Sequence, residues 1–262
     1  MPSSSSSWSS RASALPQRVT ADAAAAVAAM RHRSDIAGSR IALVGHSGGG
    51  VIAPAAAAAD PNIAAVVTLA GNVGDGLPYV RKGLYRQMMK MVVGGRDTLI
   101  GPAADAAMTL LQARVDNRDA ATISRLRANA VDRFEAAGFP RPQAEQALAM
   151  IDVPEAWKGS KLRSASNLKA LHISVLAIYG TKDTVVDDAP AARAALASNR
   201  RARVVMLDGL GHSFQEGAAI GAPDEASKLG PYLGSPRLVA LVGDWLRDTL
   251  WSKSDRAMGQ VR

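Results

Sequence analysis

One short stretch near the amino end of the chain restricts the possible folds more than any other. Ile41–Val44 is a continuous apolar run, which is typical of a strand buried on both faces of a sheet. The glycine-rich turn Gly45–Gly49 (GHSGG) follows it, and the alanine-rich segment Ala53–Ala59 then has helical character. This order of strand, Gly-x-Ser-x-Gly turn and helix predicts that Ser47 is presented as a nucleophile at the end of a strand.

The residue types of the turn suit that geometry. A serine on a sharp strand-to-helix turn needs a strained backbone, and side chains beside it would collide with the adjoining strand and helix. Gly45 and Gly49 are therefore expected to remove these collisions, while His46 occupies the variable position of the turn. A glycine-rich turn with an incidental serine is the alternative interpretation.

The composition of the chain indicates its size class and argues against nucleic acid as a binding partner. The chain has 262 residues, 48% of them hydrophobic, which is enough for one domain with a sizeable core or for a core with a cap. The formal net charge is +8, but the arginines are dispersed and aromatic residues make up only 4%. Stacking platforms for nucleic acid are therefore scarce, and no nucleic-acid partner is predicted. The tightest basic cluster, Arg200, Arg201 and Arg203, fits a solvated loop.

Other features of the sequence bear on location. Cysteine is absent, which excludes disulfides and thiolate chemistry and fits a reducing compartment. No run of residues is long and apolar enough to span a bilayer. Residues 1–17 are predicted to be a disordered, serine-rich leader that lacks the apolar core of a secretory signal, so the cytoplasm is the default location.

Apolar runs alternate with helical segments at both ends of the chain. Further strands are predicted at Ile63–Ala70, Ile173–Tyr179 and Arg203–Leu207, and helices at Thr20–Arg33, Ala189–Ser198 and Arg237–Trp251. The short loops between them predict an α/β fold, with a partial parallel sheet flanked by helices on both faces.

Between the second and third strands the pattern is helical throughout. Helices are predicted at Pro78–Val93, Pro102–Asn117, Ala120–Ala137 and Pro142–Ile151. This block is too long for a loop, so it is interpreted as an inserted lid. The predicted organisation is a leader (residues 1–17), a core (residues 18–75 and 168–251), a helical lid (residues 76–167) and a flexible tail (residues 252–262).

Three residues with complementary chemistry follow three of the predicted strands. Ser47, Asp183 and His212 each lie just past the carboxyl end of a strand, where ligand sites of open α/β sheets are found. A neutral serine is a poor nucleophile, so an imidazole must take its proton during attack and return it to the leaving group. A carboxylate then orients the imidazole and stabilises the imidazolium. We therefore predict a catalytic triad of these residues.

Other residues fit these roles less well. Asp187 and Asp188 lie at the start of a predicted helix, where capping explains them, whereas Asp208 remains a second choice for the acid. The other histidines lie in a helix before the turn, within the turn, and at the opposite end of the sheet: His32, His46 and His172.

Three segments of the chain resemble the α/β-hydrolase superfamily, in its serine esterase and dienelactone-hydrolase-like branch. They are Arg40–Gly49 (RIALVGHSGG), Tyr179–Asp183 (YGTKD) and Leu210–Gln215 (LGHSFQ), in the superfamily's order of serine, acid and histidine. The resemblance implies hydrolysis of a small ester or thioester through an acyl-enzyme, without a metal or organic cofactor. It also implies that the backbone N–H of Gly48 donates to the oxyanion.

The segment before the nucleophile departs from this family. Its members usually carry several strands and helices there, including the loop that donates a second N–H to the oxyanion, and only about forty residues precede Ser47 here. Losing one donor typically costs about a hundred- to a thousand-fold in rate. The alternative hypothesis is therefore an N-terminally truncated hydrolase, weak or inactive, that acts at most as an interaction module. A first strand without its neighbour would also favour a homo-oligomer formed through the exposed sheet edge.

Overall fold

The computed structural model describes residues 15–91, 97–151, 162–216 and 234–251. The chain divides into two compact units, one formed by Pro16–Val73 with Ser164–Arg262 and the other built around Gly74–Arg163. Most of the predicted leader (residues 1–14) and the predicted tail (residues 252–262) lie outside the described residues.

Four strands form the sheet of the first unit: β1 (Ala42–His46), β2 (Ala65–Leu69), β3 (Ser174–Gly180) and β4 (Ala202–Leu207). Their order in the sheet is β1-β2-β3-β4, and every neighbouring pair is parallel. The register aligns the strand ends, since His46 of β1 pairs with Leu69 of β2, and Leu69 pairs with Ile178 of β3. The predicted α/β fold with a parallel sheet is confirmed.

The helices, in chain order, are α1 (Leu15–Arg31), α2 (Gly49–Ala59), α3 (Gly76–Met91), α4 (Asp97–Val115), α5 (Ala120–Ala136), α6 (Arg141–Ile151), α7 (Ser164–Lys169), α8 (Ala189–Leu196) and α9 (Pro236–Leu250). Helices α1, α2 and α4 begin four or five residues before their predicted starts. In α2 and α4 a proline accounts for the difference. Each begins several residues before an internal proline, Pro54 or Pro102, that the sequence pattern suggested as an early helical residue. A proline inside a helix lacks the N–H that would bond the carbonyl four residues earlier, and its ring crowds that carbonyl, so the sequence pattern favoured a start close to the proline.

Helices cover both faces of the sheet and create an apolar core on each. One face packs β2 and β3 against helices α1, α2, α7 and α8, with Val27, Val66, Leu168, Val175 and Leu196 among its buried residues. The other face packs Val67, Leu176 and Ile178 against Leu238 of α9. β2 and β3 are continuous apolar runs because both of their faces are buried.

The second unit is helical and has its own core. Helices α3 to α6 bury Ile100, Leu110, Leu111, Phe134 and Leu148 among others. Helix α5 begins at a capping residue, Asp119, whose side chain accepts the backbone N–H of Thr122 at 2.9 Å. The role of this unit as a lid stays a prediction.

The two edge strands of the described sheet carry exposed apolar side chains. Val44 of β1 is 51% exposed and Met206 of β4 is 39% exposed. Exposed edge strands are potential sites of pairing with another chain, so self-association through β1 stays a prediction. Within the described ranges, no helix has the length and apolar character needed to cross a membrane.

Helix α2 packs against the end of β2 through two glycines. A Cβ atom added at Gly50 would lie 2.5 Å from the Cα atom of Gly71, which is closer than any real side chain comes. The adjacent Gly49 is in open space, since an added Cβ would have nothing within 4 Å. The close approach of α2 to the sheet therefore depends on Gly50 and not on Gly49.

These neighbouring glycines provide a matched test of the packing. We expect Gly50→Ala to lower the free energy of unfolding by about 1–3 kcal/mol, because the added methyl group must displace the backbone of Gly71. Gly49→Ala should leave it unchanged or slightly higher, since alanine favours a helix over glycine. Urea denaturation of both variants measures the difference, and equal effects would contradict this account.

Candidate active site

Ser47 lies at the junction of β1 and α2 in a strained backbone conformation. Its φ angle is +53°, a left-handed value that costs a non-glycine residue about 1–3 kcal/mol. Hydrogen bonds on both sides stabilise it: the Ser47 N–H donates to the carbonyl of Leu69 at 2.8 Å, and the N–H of Gly50 donates to the Ser47 carbonyl at 2.9 Å. The pairing of β1 with β2 thus maintains the turn.

Of the two glycines that the motif predicted to avoid collisions, the structure requires only Gly45. A Cβ atom at Gly45 would overlap the carbonyl oxygen of Gly49, so the turn can close only with glycine at that position. The predicted steric purpose of Gly49 is wrong, because a side chain there would meet no neighbour. Gly50, which the sequence pattern did not single out, is the residue in close backbone contact. The N–H of Gly48 lies at the start of α2 and has no acceptor among the described residues.

The structure brings the three predicted site residues together. The Nε2 atom of His212 lies 3.0 Å from the Oγ atom of Ser47, and its Nδ1 atom lies 3.0 Å from the Oδ2 atom of Asp183. An ionised carboxylate can only accept, so Nδ1 carries the hydrogen and the lone pair of Nε2 is available to the serine hydroxyl. A continuous hydrogen-bonded chain therefore runs from the acid to the serine.

Asp183 is held as a fully buried carboxylate. Its side chain is 0% exposed, and its Oδ1 atom accepts the backbone N–H groups of Val185 and Val186, each at 2.8 Å. Burial acts to raise the pKa of Asp183, but the hydrogen bonds from His212, Val186 and Val185 together outweigh it and lower that pKa below its ordinary value. The carboxyl group is therefore ionised at neutral pH.

The other acids considered from the sequence have different partners. Asp208 accepts the hydroxyl of Thr181 at 2.9 Å through Oδ1, so its carboxylate links the ends of β3 and β4. The capping interpretation of Asp188 is wrong: it forms no side-chain cap on α8, and its buried carboxylate accepts the N–H of Val73 at 3.0 Å. The sequence could not reveal that partner, because Val73 is distant along the chain.

A loop after β4 carries His212 and is anchored at its ends. We call Asp208–Glu216 the base loop. Arg237 of α9 donates through Nη2 to the Asp208 carbonyl at 3.0 Å and through Nε to the Glu216 carboxylate at 3.0 Å. The Leu210 carbonyl of the loop accepts the N–H of Lys182 at 2.9 Å. A Cβ atom at Gly180 would overlap that same carbonyl, so glycine is required where the base loop passes the end of β3.

His46 contacts the base loop directly. Its Nε2 atom lies 2.8 Å from the carbonyl oxygen of His212. Its ring lies 5.0 Å from the ring of His212 and meets the ring of Phe214 edge-on at 6.1 Å, both measured between centroids. Sequence reasoning assigned His46 only to the variable position of the turn, because the strand and the base loop lie far apart in the sequence.

A bound metal ion would need several donor side chains close together. Among residues 15–91, 97–151, 162–216 and 234–251, no group of three or more histidine, aspartate or glutamate side chains is arranged to hold a metal ion.

A parallel sheet with a serine at a strand-to-helix turn is the arrangement of the α/β hydrolases. Residues 3–226, more than half of the chain, match the Alpha/beta hydrolase family. The chain belongs to this family. Its placement in the serine esterase and dienelactone-hydrolase-like branch stays a prediction. No curated protein matches the chain.

The chain is also similar to several solved structures at low sequence identity. The chain is similar to the esterase RhEst1 from Rhodococcus sp. ECU1013, with 20% identity, 79% of this chain covered and a TM-score of 0.39, and it spans 65% of the length of that esterase. It is also similar to a protein described as an aryl esterase from Burkholderia cenocepacia, with 24% identity, coverage of 91% and 74% of the two chains, and a TM-score of 0.45. The α/β hydrolase GrgF from Penicillium sp. sh18 has 15% identity, coverage of 90% and 72%, and a TM-score of 0.48.

The lowered pKa of Asp183 predicts how stability depends on pH. A carboxylate whose pKa is lower in the folded protein stabilises the fold above its unfolded pKa, and this contribution is lost as pH falls through the folded pKa. We therefore expect the free energy of unfolding to decrease on acidification below about pH 4, and to decrease less in Asp183→Asn. Urea denaturation over a pH series measures both slopes. All other carboxyl groups are common to the two proteins, so identical slopes would contradict the lowered pKa.

Proposed function

We propose that this protein is a serine hydrolase that cleaves a carboxylic ester or thioester through an acyl-enzyme. The observation that carries the proposal is the continuous hydrogen-bonded chain from Asp183 through His212 to Ser47, with 3.0 Å at each link. Membership of the Alpha/beta hydrolase family supports hydrolysis as the general reaction. The ester or thioester specificity is the further step of the proposal.

Acylation begins at Ser47. The Oγ atom attacks the carbonyl carbon of the substrate while its proton passes to Nε2 of His212, which forms an imidazolium. The buried carboxylate of Asp183 stabilises that cation. The tetrahedral intermediate then collapses, the bond to the leaving group breaks, and the departing alcohol or thiol takes the proton from Nε2. Water, deprotonated by His212, then attacks the carbonyl carbon of the acyl-enzyme. The bond to the Oγ atom of Ser47 breaks, His212 returns the proton to Oγ, and the acid is released.

The oxyanion of the intermediate needs hydrogen-bond donors. We propose the backbone N–H of Gly48 as one donor, since Gly48 follows the nucleophile and is the N-cap residue of helix α2, whose N-terminus favours negative charge. Each such donor is worth about a hundred- to a thousand-fold in rate. Alcohols and thiols leave more readily than amines, so an ester or thioester demands less of the oxyanion donors than an amide would.

The nucleophile is tested by replacing its hydroxyl group. We expect Ser47→Ala to reduce the hydrolysis of a short p-nitrophenyl ester by about 10⁴- to 10⁶-fold while the protein remains folded. Release of p-nitrophenol measures the rate, and circular dichroism provides the control for folding. A serine-directed fluorophosphonate should label the parent at Ser47, as peptide mass spectrometry can verify. Equal rates in parent and variant would overturn the proposal, and an unlabelled parent would favour an inactive domain.

The acid is tested with a matched pair of aspartates. Asp183→Asn should lower kcat by about 10⁴-fold, because the amide removes the negative charge and can favour the wrong tautomer of His212. Asp208→Asn removes the negative charge but keeps an amide oxygen that can accept the Thr181 hydroxyl, so it should change kcat only a few-fold. Steady-state kinetics with the same ester compare the two. A larger loss in Asp208→Asn would reassign the acid to Asp208.

A further inference from the structure

His46 connects the strand that carries the nucleophile to the loop that carries the base. It is the last residue of β1 and directly precedes Ser47. Its Nε2 atom lies 2.8 Å from the carbonyl oxygen of His212. A carbonyl oxygen can only accept, so His46 donates through an Nε2–H group. The hydrogen bond therefore ties the backbone of the base to the residue beside the nucleophile.

Hydrogen bonds to backbone atoms anchor the base loop at Asp208, Leu210 and Phe214, and the backbone of His212 lies between the last two of these points. Gly209 and Gly211 both precede His212 closely, and Gly209 has a φ angle of +75°. Glycines adopt many backbone conformations, so the chain around His212 is poorly determined by local sterics. The backbone of Phe214 is strained, since its φ angle is +53°. Phe214 is also buried, with 1% of its surface exposed.

The other contacts of His212 act on its ring. Asp183 holds Nδ1, and Ser47 lies against Nε2, each at 3.0 Å. A ring held by hydrogen bonds alone still moves with the backbone that carries it. His46 acts on that backbone, and its own ring also packs against the ring of His212 at 5.0 Å and against Phe214 at 6.1 Å. His212 is thus restrained both at its ring and at its backbone.

We propose that His46 is a positioning residue that keeps the His212 imidazole within hydrogen-bond reach of Ser47. This inference rests on the proposed function, because it concerns the same reaction. His46 itself is not the base, since its Nε2–H is engaged by the His212 carbonyl and Ser47 is bonded to His212. Because His46 and Ser47 are adjacent, the distance between nucleophile and base is set by the end of β1 itself.

Two variants separate the hydrogen bond from other properties of His46. Glutamine places an amide N–H close to the position of the histidine Nε2, whereas asparagine is one methylene shorter and ends near the position of Nδ1. We expect His46→Asn to lower kcat by about 10- to 100-fold with little change in KM, because a displacement of about 1 Å in a reacting group can cost about a hundred-fold. His46→Gln should retain kcat within a few-fold of the parent.

A spectroscopic measurement provides a readout that does not depend on turnover. The proton on Nδ1 of His212, in its hydrogen bond with Asp183, gives a downfield resonance in the proton NMR spectrum. We expect that resonance to be preserved in His46→Gln, and to be broadened or lost in His46→Asn as the base loop becomes mobile. Thermal unfolding of both variants controls for a general loss of stability.

The outcomes distinguish this inference from the proposed function. If His46→Asn matches the parent in kcat and in the Nδ1–H resonance, or if His46→Gln is as impaired as His46→Asn, the positioning role of this hydrogen bond is overturned. The hydrolase proposal would survive either result. If the parent protein shows no hydrolysis that depends on Ser47, the proposed function fails, and the resonance still tests whether His46 positions His212.

Discussion

The site depends on backbone segments that approach one another more closely than a Cβ atom would permit. Gly45 allows the nucleophile turn to close against Gly49, and Gly180 allows the base loop to pass the end of β3. Gly50 and Gly71 bring helix α2 against the sheet. Each contact joins a turn that carries a site residue to the neighbouring chain segment. A Cβ atom at any of these glycines would push the two backbones apart and displace Ser47 or His212 relative to the other, because the close-packed interior leaves no room for it.

The site also depends on the parallel pairing of the four strands. Because β1 to β4 run in the same direction, the turns that follow them meet at one edge of the sheet. Ser47 follows β1, Asp183 follows β3 and His212 follows β4, so each contributes from a different strand. The strain at Ser47 is tolerated because its N–H and carbonyl are both bonded to neighbouring backbone.

Burial and hydrogen bonding have opposite effects on the ionisation of Asp183. Desolvation alone would favour a neutral Asp183, yet the N–H groups of Val185 and Val186 and the imidazole of His212 keep it ionised. The negative charge therefore lies beside the Nδ1 atom of His212. His46 then complements Asp183, because one restrains the ring of His212 and the other restrains its backbone.

The sequence by itself determined the class of fold, and it predicted three site residues that the structure brings within hydrogen-bond distance. Continuous apolar runs indicate strands buried on both faces, and a polar side chain just past each of three strands predicts Ser47, Asp183 and His212 as site residues. Local patterns could not decide between Gly49 and Gly50, or reveal that His46 bonds the base loop. Those features depend on which backbones come together after folding. Only the tertiary structure decides which backbones meet, because the contacts of Gly50 with Gly71 and of His46 with His212 join segments that are separated by many residues along the chain.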